Sequence, residues 1–341
     1  MATAIVFFIF QIVHSPFCIL AVLLAVTVGS SSCSQGTYSG PPESITLGYT
    51  PSEASGLMYI AEDQGFFTAN GVRIIQKYYH TGTEAIEALL KGEVEIAGMS
   101  EVPFISKVFE KQKVSIYANV DRLQYIYLIG RKDRGIKGAA DLRRKKIGLP
   151  GRTMAEFYLG RFLELNGLSL KDVTLVNTVP SASVDAITSG SLDCMVIWNP
   201  FARQIIKQMA DNATVLRVQS DQPAYAVAVA RNDWLTAHEE VIKRSLKAIA
   251  QAELYVINHP SEAKAIVQKR MNYDDAFMET VWSENQFSLS LDQSLITAME
   301  DEARWMLANN LTTEKQVPDF GDYIYESCLK AIKPEAVNII R

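Results

Sequence analysis

The sequence predicts an α/β protein built from two similar halves, and three observations support this prediction. The segment "SGSLDCMVIWNPF", which begins at Ser189, reads like a copy of "KGEVEIAGMSEVPF", which begins at Lys91. Each copy ends a βαβαβ alternation, which is the pattern expected of a parallel sheet covered by helices. Each half is also followed by a long extended segment that suits a connection between two domains.

The first half begins with a short alternating strand, "SITLGYT", at Ser44. The segment "LMYIAEDQGFFTANG" has apolar residues at helical spacing and predicts a helix that ends at Gly71. A strand "VRIIQKYY", a loop and helix "HTGTEAIEALLKG" and a strand "VEIAGMS" follow. These segments make one βαβαβ unit.

The second half repeats this order with "KKIGLPG" from Lys145, a helix "TMAEFYLGRFLELNG" that ends at Gly167, and then "VTLVNTV", "SASVDAITSG" and "LDCMVIW". The connecting segments are "SIYANVDRLQYIYLIGRKD" and "QPAYAVAVARNDWL", and the chain from His238 onward is mostly helical in pattern. We therefore expect a first lobe at 44–128, a second lobe at 129–221, and a return strand with a helical part at 222–341 that completes the first lobe.

Composition excludes one class of function. The chain has 341 residues, 48% of them hydrophobic, which is enough for two cores of ordinary domain size. Its net charge is −5, and its most basic run is "RRKK" at Arg143–Lys146. Because a nucleic-acid interface needs a clustered basic surface, we expect no nucleic-acid partner.

The first 33 residues resemble an export signal, with an apolar core followed by small residues, and residues 34–43 resemble a tether. Cys33 lies where a lipoprotein would be acylated, so lipidation and simple cleavage are both open, and the apolar run is also long enough for an uncleaved anchor. We expect the protein in the periplasm or on the outer face of the cytoplasmic membrane.

The sequence offers no catalytic or metal-binding motif. Its four histidines lack metal-ligand spacing, and it has neither "GxxxxGK[ST]" nor "GxSxG". Cys194 and Cys328 are expected to be buried thiols, although a disulfide between them stays open. We therefore predict no cofactor, no metal and no enzymatic activity.

Four loops are the candidate binding elements, because ligands of open parallel sheets bind beyond the carboxyl ends of the strands. They are "YTPSEASG" (49–56), "HTGT" (80–83), "PGRT" (150–153) and "PSAS" (180–183). Helix N-termini attract anions, so these loops predict a site for an anionic or polar group. Each loop also contains a good helix cap, which is the alternative explanation for its Ser and Thr residues.

Several side chains near these loops have chemistry suited to a ligand. Arg152 would pair with a sulfonate, carboxylate or phosphate, and Trp198 and Asn199 would stack on and orient a ligand. Asp121 and Arg122 lie at the first connection, where they would pair with each other. His80 follows two tyrosines at the end of a strand.

The order of segments from "GYTPSEASGLMYIAEDQGFFTANGV" through "DLRRKKIGLPGRTMAEFYLGRFLELNGL" and "VPSASVDAITSGSLDCMVIWNPF" to "VPDFGDYIY" resembles the substrate-binding proteins of bacterial ABC importers. The branch it resembles handles nitrate, aliphatic sulfonates, taurine and thiamine-pyrimidine precursors. The resemblance implies a type II periplasmic-binding-protein fold, with a mixed, mostly parallel sheet in each lobe and two hinge strands.

The resemblance also implies a function. A small molecule would bind between the lobes of a monomer and pass to a permease and its ATPase. The implied ligand contacts are Tyr49, Ser55, Gly82, Thr83, Ser100, Arg152, Thr153, Ser181, Trp198 and Asn199, with His80, Gly151 and Arg122 as further candidates.

Two other functions remain open on the same scaffold. One is an enzyme similar to pyrimidine synthases or menaquinone-pathway relatives. The chain lacks the cysteine-rich segment of the pyrimidine synthases, however. The other is a ligand-sensing partner of a signalling protein.

Overall fold

The computed structural model describes residues 38–219 and 222–340, and those from Ser39 onward belong to one compact unit. The expected signal, its Cys33 and residues 34–37 of the tether lie outside the described residues. Within the described part of the chain, no helix combines the length and the apolar character needed to cross a membrane.

The strands form two sheets. The seven-stranded sheet, called the large sheet here, has the order β12-β11-β4-β10-β3-β1-β2, and the five-stranded small sheet has the order β7-β6-β8-β5-β9. The strands are β1 Glu43–Tyr49, β2 Val72–Tyr78, β3 Ile96–Ser100, β4 Val114–Leu123, β5 Tyr127–Arg131, β6 Lys146–Leu149, β7 Thr174–Asn177, β8 Cys194–Ile197, β9 Ala213–Arg217, β10 Ala224–Arg231, β11 Asn285–Asp292 and β12 Val337–Asn338.

Helices pack on the sheets and fill the C-terminal part. They are α1 Gly56–Asp63, α2 Phe66–Ala69, α3 Gly82–Leu90, α4 Glu101–Phe109, α5 Met154–Leu165, α6 Ser183–Thr188, α7 Phe201–Met209, α8 Asn232–Ala237, α9 Glu239–Asn258, α10 Pro260–Met271, α11 Asp275–Trp282, α12 Gln293–Ala308 and α13 Ser327–Ile332. The α/β prediction is therefore confirmed.

The chain passes between the sheets twice, from β4 to β5 and from β9 to β10. Strands β4 and β10, which flank these passages, pair with each other antiparallel in the large sheet. Around them the sheets are mixed: β1 pairs parallel with β2 and β3, and β6 pairs parallel with β7 and β8. The small sheet is thus an insertion between two parts of the chain that build the large sheet.

The repeated motif has a glycine with a positive φ angle at the same place in both halves. Gly92 follows α3 and Gly190 follows α6, and both have positive φ angles, of 74° and 83°. A residue with a Cβ adopts this conformation only at a cost, so each helix ends on glycine before the next strand begins. The similarity of the two segments therefore reflects a shared local structure.

Two elements differ from the sequence pattern. The helix expected to end at Gly71 is divided into α1 and α2 because Gly65 adopts a φ of 69°. The C-terminal part also contributes the eight-residue strand β11, which lies within the region predicted to be helical and pairs with β4.

Candidate ligand-binding site

A central cavity of about 150 Å³ is lined by residues of both halves of the chain, most of them from the large-sheet half. Residues at or just after the carboxyl ends of β1, β3, β6 and β8 contribute to its wall, as the general rule for open sheets predicts. Thr50 follows β1 and Ser100 ends β3, whereas Thr153 follows β6 and Trp198 follows β8. Both halves of the chain therefore supply the wall.

The wall of the central cavity is apolar and aromatic. Its rings are those of Tyr49, Phe67, Tyr117, Tyr125, Trp198 and Tyr225, and three methionines, Met58, Met99 and Met154, add to them. Hydroxyl groups supply the polar part, and the Oγ1 atom of Thr50 is buried without a hydrogen-bond partner. Among the described residues that line this cavity, none carries a charged side chain.

Two hydrogen bonds join the halves beside the cavity. The Asn199 amide, just after β8, donates to Glu53 Oε1 at 3.3 Å, and Thr83 Oγ1 donates to the Arg152 carbonyl at 3.2 Å. Glu53 also accepts from the hydroxyl of Tyr273 at 3.0 Å. These bonds hold the two halves together with the cavity between them.

The helix tips at the cavity are capped by their own side chains. At α3, Thr81 Oγ1 accepts from the Glu84 amide, and the Glu84 carboxylate accepts from the His80 amide at 2.9 Å. At α5, Thr153 is the cap, and the Glu156 carboxylate accepts from the Arg152 amide at 2.7 Å. The tips thus use threonine and glutamate as a capping box does, and each carries a carboxylate where an incoming anion would bind.

The structure brings six of the sequence-derived candidates to the cavity wall: Tyr49, Ser55, Gly82, Ser100, Thr153 and Trp198. Asn199 and Thr83 lie beside it through the hydrogen bonds above. Ser181 and His80 are exposed and lie outside this wall. Sequence reasoning missed Tyr117, Tyr125 and Tyr225. The signal for all three was the tyrosine content of the two connecting segments.

Gly151 and Arg152 line a second cavity, called the outer groove here. It is larger, about 810 Å³, and lies between α4, the start of α5 and the residues after α12. Its wall carries charges of both signs, among them Lys111 and Glu314, which pair at 3.2 Å. Arg152 is exposed, with a φ of 59°. Only Thr153 of the "PGRT" loop lines both spaces.

Arg122 does not pair with Asp121 as expected. Its guanidinium pairs with Asp292, at the end of β11, and lies 5.6 Å from the centre of the Tyr225 ring. The reason is the strand: adjacent residues of β4 point to opposite sides, so Asp121 and Arg122 cannot face each other. The Asp121 carboxyl group is fully buried, and the backbone amides of Gln286 and Arg122 lower its pKa against the larger effect of burial.

Three buried carboxyl groups are sequence neighbours of residues in the wall of the central cavity. Glu53 lies between the wall residues Ser52 and Ala54, Asp121 follows the wall residue Val120, and Glu101 follows Ser100. Burial raises the pKa of Glu53, and burial together with the charge of Glu53 raises the pKa of Asp121 well above its usual range. These carboxyl groups therefore tend to hold their protons in the folded protein.

Glu101 at the start of α4 and Glu302 on α12 form a buried carboxyl pair. Both are fully buried, and Glu101 also accepts from the Tyr225 amide at 3.1 Å. Burial raises the pKa of Glu101, and burial and the neighbouring Glu101 raise that of Glu302 well above its usual range. One proton shared by two carboxyl groups explains both pKa values.

The two described cysteines are free, buried and absent from the cavity wall. Burial raises the pKa of Cys194 to about 12 and that of Cys328 to about 11, so both stay thiols at neutral pH. The described residues contain no group of three or more His, Cys, Asp or Glu side chains that would hold a metal ion.

Comparison with known proteins gives the family. The model of the "NMT1/THI5 like" family matches residues 53–263, which include the Glu53 turn, both connecting segments and the whole small sheet. The chain belongs to the NMT1/THI5-like family. The taurine-binding periplasmic protein of Escherichia coli strain K12 is 24% identical over 219 residues, which is 63% of this chain and 67% of that protein.

Solved structures confirm the fold of this family member. The alkanesulfonate-binding protein SsuA from Xanthomonas axonopodis pv. citri, bound to MOPS, matches with a TM-score of 0.73 at 16% identity. The match covers 85% of this chain and 100% of that protein. The desulfurization enzyme DSZB has a TM-score of 0.59 at 16% identity over 85% of this chain and 99% of its own. The predicted periplasmic-binding-protein fold is confirmed, and its likeness extends to both binding proteins and an enzyme.

Proposed function

We propose that the protein captures a small polar metabolite between two lobes outside the cytoplasm and delivers it to an ABC permease. In this proposal one lobe comprises residues 44–128 and 222–341, and the other comprises residues 129–221. Taurine and alkanesulfonates are candidate ligands, since the relatives named above bind them, and nitrate and pyrimidines are further candidates. The protein would act as a monomer, exported and held at the membrane by a lipid on Cys33 or released by cleavage.

The observation that carries the proposal is a cavity whose wall comes from both halves of the chain. Thr50 and Ser100 come from the large-sheet half, and Thr153 and Trp198 from the small-sheet half. A ligand bound there would contact both halves only when they are close together. Because the closed form then binds the ligand better than an open form, binding shifts the protein toward closure.

Small-angle X-ray scattering of the full chain tests this closure. Taurine, an alkanesulfonate, nitrate and a pyrimidine are added in turn, and thermal unfolding is measured in parallel. A ligand at one hundred times its dissociation constant adds about 2.7 kcal/mol to the free energy of unfolding. We expect the same compound to raise the unfolding temperature and to reduce the radius of gyration. A compound that binds tightly without any compaction contradicts the clamp.

An enzyme is the second candidate, and the likeness to DSZB is the observation that favours it. The state of Cys194 and Cys328 argues against a cysteine nucleophile among the described residues, since both thiols are buried away from the cavity. Mass spectrometry of each bound compound after long incubation decides between the two functions. A binding protein returns the compound unchanged, whereas an enzyme converts it.

A further inference from the structure

The most concentrated charge of the chain lies in residues 131–146, called the basic segment here. Its sequence, "RKDRGIKGAADLRRKK", has eight basic and two acidic side chains, a net charge of +6. The whole chain has a net charge of −5, so the other residues together carry −11. An asymmetry of this kind indicates an interaction with a partner of the opposite charge.

The basic segment connects β5 to β6 at the edge of the small sheet opposite the central cavity. Strand β5 ends at Arg131 and pairs antiparallel with β8, whereas β6 begins at Lys146 and pairs parallel with β8. The segment therefore lies at the amino ends of β6 and β8. The cavity residues Thr153 and Trp198 follow the carboxyl ends of the same two strands. A partner on the basic segment thus leaves the cavity free for its ligand.

The backbone of the basic segment is fixed, so its charges have a defined position. Ile136 and Leu142 are fully buried beneath it. The Asp141 carboxylate accepts hydrogen bonds from the amides of Lys137 and Gly138 at 2.9 and 3.0 Å. Six of the eight basic residues are exposed around these anchors: Lys132, Arg134, Lys137, Arg143, Arg144 and Lys146.

Few acidic side chains offset these charges. Among the described residues, ion pairs include only two of the eight basic side chains: Arg131 pairs within the segment, and Arg143 pairs with Asp172. The Asp193 carboxylate accepts from an amide of the segment at 2.9 Å. With Asp172 and Asp193 included, the net charge is still +4. This charge is available to a partner outside the chain.

The composition of the basic segment fits a lipid surface better than a protein or a single-stranded nucleic acid. Half of its basic residues are lysines, and it has no aromatic residue. Protein interfaces are poor in lysine and rich in aromatic residues, and single strands stack on aromatic rings. None of the eight basic residues lines the central cavity or the outer groove. Anionic headgroups need neither rings nor a groove, since clusters of about four to eight Lys and Arg residues bind them.

We propose that the basic segment is a contact surface for an anionic phospholipid bilayer. The inference uses the proposed location beside the cytoplasmic membrane and is independent of the ligand. Only 14 residues separate the apolar run, which ends at Val28, from the start of β1, and a link of that length spans at most roughly 50 Å. A chain anchored by that run stays near the bilayer, where weak charge contacts act at a high effective concentration.

Co-sedimentation of the full chain with two kinds of vesicle tests the inference. One kind is phosphatidylcholine alone, and the other is an equal mixture of phosphatidylcholine and phosphatidylglycerol. Apolar contacts act on both kinds, so the difference in binding isolates the effect of charge. We expect binding to the anionic vesicles to be at least about tenfold tighter at low salt, since several basic side chains contribute. Added salt should reduce this difference because ions screen the charges.

A triple variant assigns the effect to the segment. It combines Lys132→Gln, Lys137→Gln and Arg144→Gln, because these residues are exposed and lie outside the two ion pairs above. Binding to the anionic vesicles should weaken by at least about tenfold. Ligand-induced compaction in the scattering experiment should not change, because the cavity lies at the other edge of the small sheet.

The matched control removes the same charge from exposed positions elsewhere in the chain. It combines Arg73→Gln, Lys269→Gln and Lys330→Gln. This variant should keep the preference for anionic vesicles, since the local charge of the basic segment is intact.

Four outcomes overturn the inference. The natural protein binds both kinds of vesicle equally, its preference is insensitive to salt, or the two triple variants lose the same affinity. The fourth is tighter binding of a double-stranded DNA fragment than of the anionic vesicles at the same salt, which would assign the segment to nucleic acid. The proposed binding function is tested separately. It fails when no compound compacts the protein, and it stands when one does, whatever the vesicles show.

Discussion

The central cavity and the outer groove are neighbours that share Thr153, yet their walls have different chemistry. The cavity is small and aromatic, and the described residues put no charged side chain in its wall, whereas the groove is several times larger and lined by Lys111, Arg152, Glu156 and Glu314. A site that must exclude water and hold one molecule needs the first kind of wall. The charged residues of the "PGRT" region serve helix capping and the surface, and we propose that the hydroxyl and ring residues of the cavity contact the ligand.

The largest expected effect is a loss of stability when a large side chain of the groove wall is removed. Trp305 of α12 lies against Gly160 and packs edge-on against Phe157, both on α5, with ring centres 5.4 Å apart. Trp305→Ala removes this contact between the C-terminal part and the small-sheet half, and it should lower the free energy of unfolding by about 3–5 kcal/mol. Urea unfolding measures the loss.

Trp234→Ala is the control for this prediction, because Trp234 is only partly buried and stacks on His238 at the surface. Its loss should be clearly smaller. Equal losses for the two variants would mean that Trp305 has no special part in joining the halves.

The second expected effect compares two asparagines, one beside the central cavity and one in the outer groove. Asn199 is 1% exposed and donates to the buried Glu53 beside the cavity, whereas Asn177 is exposed and accepts from the Gly151 amide in the groove. Asn199→Leu leaves a buried carboxyl oxygen without its donor and should cost about 1–3 kcal/mol of unfolding free energy. It should also reduce ligand-induced compaction in solution scattering.

Asn177→Leu is the matched variant and should leave the compaction unchanged. If both variants reduce compaction alike, the bond between Asn199 and Glu53 is not a contact of the closed form.

The third expected effect is a pH dependence that originates in the buried pair of Glu101 and Glu302. Glu101 and Glu302 have pKa values raised above the 4.5 of a free glutamate, because both are buried and share a proton. The folded state therefore binds more protons than the unfolded state from about pH 4.5 upward, and stability falls as the pH rises through the raised values. A tenfold difference in proton affinity between the folded and unfolded states corresponds to about 1.4 kcal/mol.

Glu302→Gln keeps a neutral side chain at this position, so its unfolding free energy should depend less on pH above 4.5 than that of the natural protein. Glu300→Gln, on the exposed side of the same helix, is the control and should keep the natural profile. Denaturant unfolding at several pH values measures both. Parallel profiles for Glu302→Gln and the natural protein would exclude the shared proton as the cause.

The sequence was sufficient for the fold and for part of the site. Local signals such as Gly92, Gly190 and the threonine caps determine where helices end, and they repeat in both halves, so two α/β units were predictable. Tyr117 of β4 and Tyr225 of β10 come together in the cavity wall through the pairing of these two strands. Strand β11 was missed because its eight residues lie within a region of helical pattern and are fixed by pairing with β4.

The charged partners were the least predictable part of the site. Asp121 and Arg122 are adjacent in sequence, but the alternation of β4 separates them, and Arg122 pairs with Asp292, which lies 170 positions away. Arg152 lies between two residues of a candidate loop, yet its positive φ and the hydrogen bond from its amide to Glu156 place it in the groove. Such partnerships depend on the tertiary structure and leave no local pattern.

The smallest expected effect tests the boundary between the two spaces. Arg152 is exposed in the outer groove, so Arg152→Ala should change the free energy of unfolding by no more than about 0.5 kcal/mol. We also expect Arg152→Ala to change the affinity for any ligand of the central cavity by no more than about twofold, which corresponds to a change of similar size in the binding free energy. Calorimetry with the tightest compound of the scattering panel measures it, with Lys111→Ala as the control from the same groove. A loss of tenfold or more for Arg152→Ala alone would show that this arginine reaches the ligand, and the cavity and the groove would then be one site, with a cation in its wall.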